Sequence, residues 1–251
     1  MQKMIKNLSH IAREAGAAIM SVRSNGFDVV NKDDKSPVTE ADIASNKVIF
    51  KYLTDLYPEI PILSEEGTKI PFEKRKQWQE FFLVDPLDGT KEFIKDNGEF
   101  CVCIALMREN RPVLGVVYAP TQDTLYTGSR ETGAQVSRNN EEPVSISTNP
   151  PAKDEGLNVV GSRSHPSPDL ESYLRNLKVE KMTPAGSAIK FCLVAEGKAH
   201  LYPRFNPTME WDTAAGQAIV EAAGGSMLGI DGKEFPYNKE NLRNAGFIVK
   251  A

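Results

Sequence analysis

Six residues, Asp85-Pro86-Leu87-Asp88-Gly89-Thr90, follow directly on the apolar run Phe81-Phe82-Leu83-Val84. Two carboxylates flank a residue with a free carbonyl, Leu87. Gly89 and Thr90 then offer backbone N–H groups and a hydroxyl, donors suited to an anion. Taken alone, the segment fits an exposed turn equally well, because Asp, Pro and Gly are common turn residues. An EF-hand is excluded, since that loop places Gly sixth and oxygen ligands at alternate positions, whereas Leu87 is third and Gly89 fifth. Two further acids shift the balance. Glu65 closes a second short apolar run, and Asp212 follows Trp211 at the start of an expected helix. Carboxylates delivered to one point from several elements repel one another unless a cation stands between them. A hard divalent ion such as Mg²⁺ takes a few carboxylates together with waters and substrate phosphate. The expected chemistry is metal-assisted hydrolysis of a phosphate ester.

Other catalytic templates fail. The chain holds neither G-x-x-x-x-G-K-[ST] nor G-x-G-x-x-G, so no Walker or dinucleotide loop is expected. It has no G-x-S-x-G elbow. His10, His165 and His200 cannot make a histidine-rich zinc site, and Cys101, Cys103 and Cys192 form no C-x-x-C pair. Cys101 and Cys103 share one face of an expected strand. Three thiols without a pattern are expected to be small buried hydrophobes of a reducing cytoplasm.

The elements that must carry these acids are legible in the spacing of apolar residues. Ile5, Leu8, Ile11, Ala12, Ala15, Ile19 and Val22 predict an opening amphipathic helix, stopped at Ser24-Asn25-Gly26. An extended piece, Phe27 to Asn31, precedes a polar loop from Lys32 to Pro37. Thr39-Glu40-Ala41-Asp42 resembles a capping box opening a helix to about Tyr57. Glu99 to Met107, Val113 to Ala119 and Thr124 to Thr127 predict an antiparallel meander. Beyond Asn149-Pro150-Pro151, strand and helix signals alternate: strands at Leu157–Val160, Ala199–Tyr202 and Gly246–Val249, helices at Asp169–Leu177, Ser187–Glu196 and Asp212–Ala223. The expected class is α/β, with an α+β half over residues 1–148, an α/β half over 149–251 and the site between them.

Size and charge agree. The chain has 251 residues with 34 acidic against 30 basic, a net charge of −4. A mild acidic excess argues against a nucleic-acid polymer as partner. No apolar run reaches the length of a membrane span.

Asp85 to Thr90, with Glu65-Glu66 upstream and Trp211-Asp212-Thr213-Ala214-Ala215-Gly216 downstream, resembles the lithium-sensitive, Mg²⁺-dependent inositol monophosphatase superfamily over nearly the whole chain. Gly89 to Ile94, Lys190 to Gly197 and Leu201 to Phe205 resemble its bacterial CysQ-type branch of 3′(2′),5′-bisphosphate nucleotidases. That resemblance implies a layered αβαβα sandwich and conversion of adenosine 3′,5′-bisphosphate to AMP and phosphate, in sulfur assimilation or nucleotide salvage, with the sulfated nucleotide as a further substrate. It implies two or three Mg²⁺: one on Glu65, Asp85 and the Leu87 carbonyl, one on Asp85, Asp88 and Asp212, and a third leaning on Glu65. It gives Thr90, backed by Asp42, the part of deprotonating the attacking water. Around the nucleotide it places Gly186, Ser187, Lys190 and Arg204, with Gly89, Thr90, Asp212 and the Ser162–His165 loop.

Plainer roles compete. Asp42 also fits a helix cap, Lys190 a solvated helix face, Arg204 an ordinary ion pair and His165 a loop residue. An inositol or sugar monophosphatase with the same metal site is the alternative enzyme, although Lys91 beside Thr90 favours the nucleotide branch. A non-catalytic metal- or nucleotide-binding regulator is the alternative outside enzymes. A monomer or homodimer is expected, in the cytoplasm or peripherally on the cytoplasmic face of the inner membrane.

Overall fold

The computed structural model describes residues 1–31, 37–163 and 167–251. Most of the loop expected at Lys32 to Pro37, and His165 itself, lie outside these. In chain order the elements are α1 (Gln2–Asn25), β1 (Val29–Asn31), β2 (Pro37–Thr39), α2 (Glu40–Leu56), β3 (Ile62–Ser64), α3 (Phe72–Arg75), β4 (Glu80–Asp88), α4 (Thr90–Ile94), β5 (Cys101–Arg108), β6 (Arg111–Ala119), β7 (Thr124–Ser129), β8 (Gly133–Arg138) and β9 (Val144–Ile146). They continue with β10 (Leu157–Ser162), α5 (Pro168–Leu174), β11 (Val179–Ala185), α6 (Ile189–Ala195), β12 (Leu201–Arg204), α7 (Ala214–Ala222), β13 (Ser226–Gly229) and β14 (Phe247–Lys250).

Strands β3 to β9 form one sheet in sequence order, and a second sheet runs β11-β10-β12-β14-β13. The central strands of the first sheet are apolar at almost every position because both faces are covered. On β5, Val102, Ile104 and Leu106 enter one buried cluster with α1 and α2, while Cys103, Ala105 and Met107 enter another with α6 and α7. The period of two along a strand thus divides one run between two cores. The second core also takes Val160, Tyr202, Phe247 and Val249 from the other sheet. The layers are therefore helices α1 and α2, sheet, helices α6 and α7, and sheet, with α5 flanking it through a Tyr173–Phe205 ring contact.

Helix α7 meets the first sheet backbone to backbone. A Cβ added to Gly115 on β6 would stand 2.1 Å from the Ala215 carbonyl oxygen, and one on Gly128 of β7 would stand 2.6 Å from the Ile219 Cα. At these two positions no side chain fits between the elements.

Several expectations are corrected. The expected meander is present as antiparallel β5, β6 and β7, but the sheet that contains it is mixed, because β3 pairs parallel with β4. In the second sheet β10 pairs parallel with β11 and β12, but β14 is antiparallel to both neighbours. The helix expected from Asp212 opens with a 3-10 turn, Glu210–Asp212, and α5 ends at Leu174 instead of Leu177. Strands β8, β9, β11 and β13 were not expected. Three of them carry little apolar pattern for a physical reason: β9, β11 and β13 are edges with mostly exposed side chains.

Candidate active site

The acid-rich segment sits at the end of β4, and a bulge there decides its geometry. Asp85 pairs with Cys103 and Asp88 with Cys101, so three steps on β4 match two on β5. Carboxylates three residues apart would otherwise point to opposite faces of a strand; the extra residue turns both to one face. Pro86, which has no N–H to give a ladder, is suited to this place. Its carbonyl accepts a 2.6 Å hydrogen bond from the buried Ser45 hydroxyl of α2, and Leu87 N–H donates to Asp85 Oδ1 at 3.0 Å. Gly89 then takes φ +96°, a conformation that costs glycine little, and opens α4.

Glu65 arrives from the end of β3 and Asp212 from the turn before α7. One oxygen from each of Glu65, Asp85 and Asp212 lies within 4.8 Å of the other two. Asp85 is buried, and its carboxyl is held well above the usual carboxylate range, first by burial and then by Glu65, Asp88 and Asp212. Burial likewise leads in raising Asp212, followed by Asp88 and Glu65. Asp88 is pushed up to about 6, again chiefly by burial; Lys190 and the Ala188 N–H act against the rise. Ala188 N–H donates to Asp88 Oδ2 at 2.6 Å, tying α6 to the bulge.

This donor set fits a hard divalent cation. All the side chains are oxygen ligands, they come from three separate elements, and the acids mutually resist ionisation until a positive charge joins them.

Asp42 has both of the roles that competed for it at the level of geometry. Its Oδ2 accepts from Thr39 N–H at 2.7 Å and from Thr39 Oγ1 at 2.7 Å, completing the capping box of α2. Its Oδ1 accepts from the Thr90 hydroxyl at 3.1 Å. The Leu87 carbonyl is 3.4 Å from the same hydroxyl, facing the cleft while its side chain enters the α1–α2 core.

Across the cleft stand Ser162, Gly186, Ser187, Lys190, Arg204 and Asp212, which line one cavity of about 210 Å³ with Glu65, Asp85, Asp88, Gly89 and Thr90. All the sequence-derived site residues within the described chain border this cavity except Asp42, which stands behind Thr90. Lys190 is not a solvated helix-face lysine: it is 4% exposed. Its Nζ donates to the Ser187 carbonyl at 2.5 Å and the Ala185 carbonyl at 3.3 Å, and lies 5.4 Å from the Tyr202 ring centre. Burial pushes its pKa down to about 8, partly countered by Asp88. Arg204 is half-buried and gives its Nε to the Asn206 carbonyl at 3.1 Å.

The cleft also has walls to which the sequence reading gives no role: Thr208, Thr213, Phe191 and Phe247. Phe191, Tyr202 and Phe247 form a ring cluster with centroids 5.2–5.6 Å apart. Glu99 was missed as well. It accepts from the Gly186 N–H at 2.8 Å and from Arg163 at 2.6 and 2.8 Å, so it latches the strand ends of the second sheet to the first half of the chain. An isolated Glu in Asn97-Gly98-Glu99 gives no sequence signal for that.

A model of the inositol monophosphatase family matches residues 1–248. The chain belongs to the inositol monophosphatase family. Within that family it is 46% identical to the 3′(2′),5′-bisphosphate nucleotidase CysQ of Escherichia coli (strain K12) over 250 residues, covering 98% of this chain and 99% of the relative. The protein of the same name from Buchnera aphidicola subsp. Acyrthosiphon pisum is 41% identical over 256 residues, or 100% and 94% of the two chains. The crystal structure of CysQ from Bacteroides thetaiotaomicron, a bacterial member of the family, superposes with a TM-score of 0.85 at 40% identity, covering 100% of this chain and 98% of that one. The family's layered α/β architecture is the one described above.

Proposed function

We infer that this chain is a 3′(2′),5′-bisphosphate nucleotidase, removing the 3′-phosphate of adenosine 3′,5′-bisphosphate to leave AMP and phosphate. The observation that carries this is the meeting, in one cleft, of the Glu65–Asp85–Asp212 carboxylate cluster with Asp88 beside it, the Thr90–Asp42 pair and the cations Lys190 and Arg204. Full-length similarity to nucleotidases of that name supports the substrate class.

Glu65, Asp85, Asp88, Asp212 and the Leu87 carbonyl would hold Mg²⁺, two or three ions in all. When bound, Mg²⁺ supplies Lewis acidity toward water and phosphate and neutralises charge on the phosphoryl oxygens. The chain's own groups do the positioning. Thr90 passes its proton toward Asp42, which frees the threonine oxygen to accept one from water. Asp42 stays fixed because its other oxygen is held by Thr39. Lys190 and Arg204 meet the phosphate that is not cleaved, and the Phe191–Tyr202–Phe247 cluster offers an apolar wall to the nucleoside. Residues 1–148 and 149–251 act as the two halves of this cleft. Inhibition by Li⁺ and hydrolysis of the sulfated nucleotide belong to the same proposal.

Phosphate release from adenosine 3′,5′-bisphosphate, its sulfated form and inositol monophosphate, each with and without Mg²⁺ and Li⁺, tests it. The bisphosphate is expected to lead. Preference for inositol monophosphate would overturn the substrate assignment, and binding without phosphate release would leave a regulator instead.

A further inference from the structure

The bulge that aims Asp85 and Asp88 also sets them beside their cross-strand partners, Cys103 and Cys101. Both thiols are buried, and their Sγ atoms lie 3.7 Å apart. A carboxylate oxygen of Asp88 lies within 4.8 Å of both sulfurs. The phosphatase chemistry above uses neither thiol. We propose that Cys101, Cys103 and Asp88 form a second cation site, selective for thiophilic divalent ions of the Zn²⁺ and Cd²⁺ type.

Spacing supports a bridging cation. With zinc–sulfur bonds of about 2.3 Å around a tetrahedral centre, two thiolates stand about 3.8 Å apart. The observed separation needs almost no adjustment to reach that. A disulfide would have to close the same gap to about 2.0 Å between two residues of one extended strand, whose Cα atoms lie near the upper limit of disulfide reach. Donor type supports selectivity, since thiolates discriminate for soft ions and against Mg²⁺. Each thiol that binds gives its proton to solvent. Ser187 Oγ, 3.4 Å from Cys101 Sγ, supplies an oxygen for a fourth position. Asp88 and Ser187 both border the cleft, so an ion reaches the sulfurs from there.

Asp88 cannot serve both sites fully. A soft ion at the dithiol draws it from the Mg²⁺ cluster, so occupancy of the thiol site inhibits phosphate release. That consequence rests on the proposed phosphatase function; binding at the dithiol does not.

The test is titration of the reduced full chain with Cd²⁺ under a phosphine reductant, following the ultraviolet thiolate-to-cadmium charge-transfer band. The band is expected to saturate at one ion per chain, to survive in Cys192→Ser, and to weaken by more than about tenfold in affinity in Cys101→Ser and in Cys103→Ser. Asp88→Asn is expected to weaken it too. Cd²⁺ is expected to inhibit the Mg²⁺-loaded wild type far more than the Cys101→Ser/Cys103→Ser double variant. Absence of the band in wild type, or its loss in Cys192→Ser, overturns the site, and neither result depends on the paired-cysteine variants folding. Persistence of the band in the double variant overturns it also. A normal band in a chain that releases no phosphate from the bisphosphate overturns the phosphatase function and leaves the dithiol site standing.

Discussion

The two rims of the cleft carry opposite charge and are perturbed by the same cause. On the first, burial raises Asp85, Asp88 and Asp212 toward their neutral forms, and repulsion from the neighbouring site acids adds to it at Asp85 and Asp212. On the second, burial lowers Lys190 to about 8. Each rim by itself is in an environment that disfavours its charge. The acid rim is relieved by a cation, the basic rim by an anion, and a bound metal with a phosphorylated substrate supplies both. Asp212 shows that this division does not simply follow the chain: a residue of the second half is delivered to the acid rim because α7 is seated on the first sheet.

The largest expected effect comes from breaking the acid rim. Asp85→Asn and Asp88→Asn should each fold and lose on the order of a thousandfold in Mg²⁺-dependent phosphate release. Without divalent ions, both variants should melt above wild type, because a buried repulsion is gone. Near-normal turnover in either would remove the carboxylates from the reacting side. Next, Lys190→Gln should raise KM for the bisphosphate by roughly ten- to a hundredfold, the value of a charged hydrogen bond, and affect a monophosphate far less. Equal losses on both substrates would mean that Lys190 only supports the Ala185–Ser187 backbone.

Titration distinguishes the rims more gently. The folded chain holds Asp88's proton up to about 6, against the usual carboxylate value of 3.8. The folded state therefore binds more protons than the unfolded one across that window, and metal-free stability falls as pH rises through it. Melting temperature should drop by a few degrees between about pH 4 and pH 7 relative to Asp88→Asn. Saturating Mg²⁺ should remove most of that difference. A wild type that melts independently of metal and pH would contradict the electrostatic picture. The smallest effect is at the latch: Glu99→Gln should cost a several-fold loss in kcat/KM, because it keeps the acceptor for Gly186 but loses the charge that holds the half-exposed Arg163.

The sequence exposed the acid rim far better than the basic one. Asp85 to Thr90 is contiguous and follows a run of four apolar residues, so its place at the end of a buried strand could be read directly. Thr39 and Asp42 announced a helix start through their spacing, and the structure has that cap. The bulge was not legible, because Pro86 is equally at home in a turn. Lys190's burial was hidden too: on α6 it lies among Ile189, Phe191, Cys192 and Val194, and only the seating of both faces of that helix encloses its charge. The edge strands failed for the opposite reason, having too little buried surface to leave a pattern. Phe247 and Glu99 reach the site only through tertiary arrangement, which local spacing does not encode.

The contact of α7 with Gly115 and Gly128 has a consequence for how the site holds its dimensions. A layer of side chains between two elements is adjustable: rotamers shift, and one residue substitutes for another as neighbouring cores drift. Bare backbone against bare backbone has a single thickness. Asp212 lies at the head of the helix pressed there, so its reach to Asp85 is gauged from a fixed stop, and the rest of the second half can vary in packing without carrying that carboxylate away from its partners.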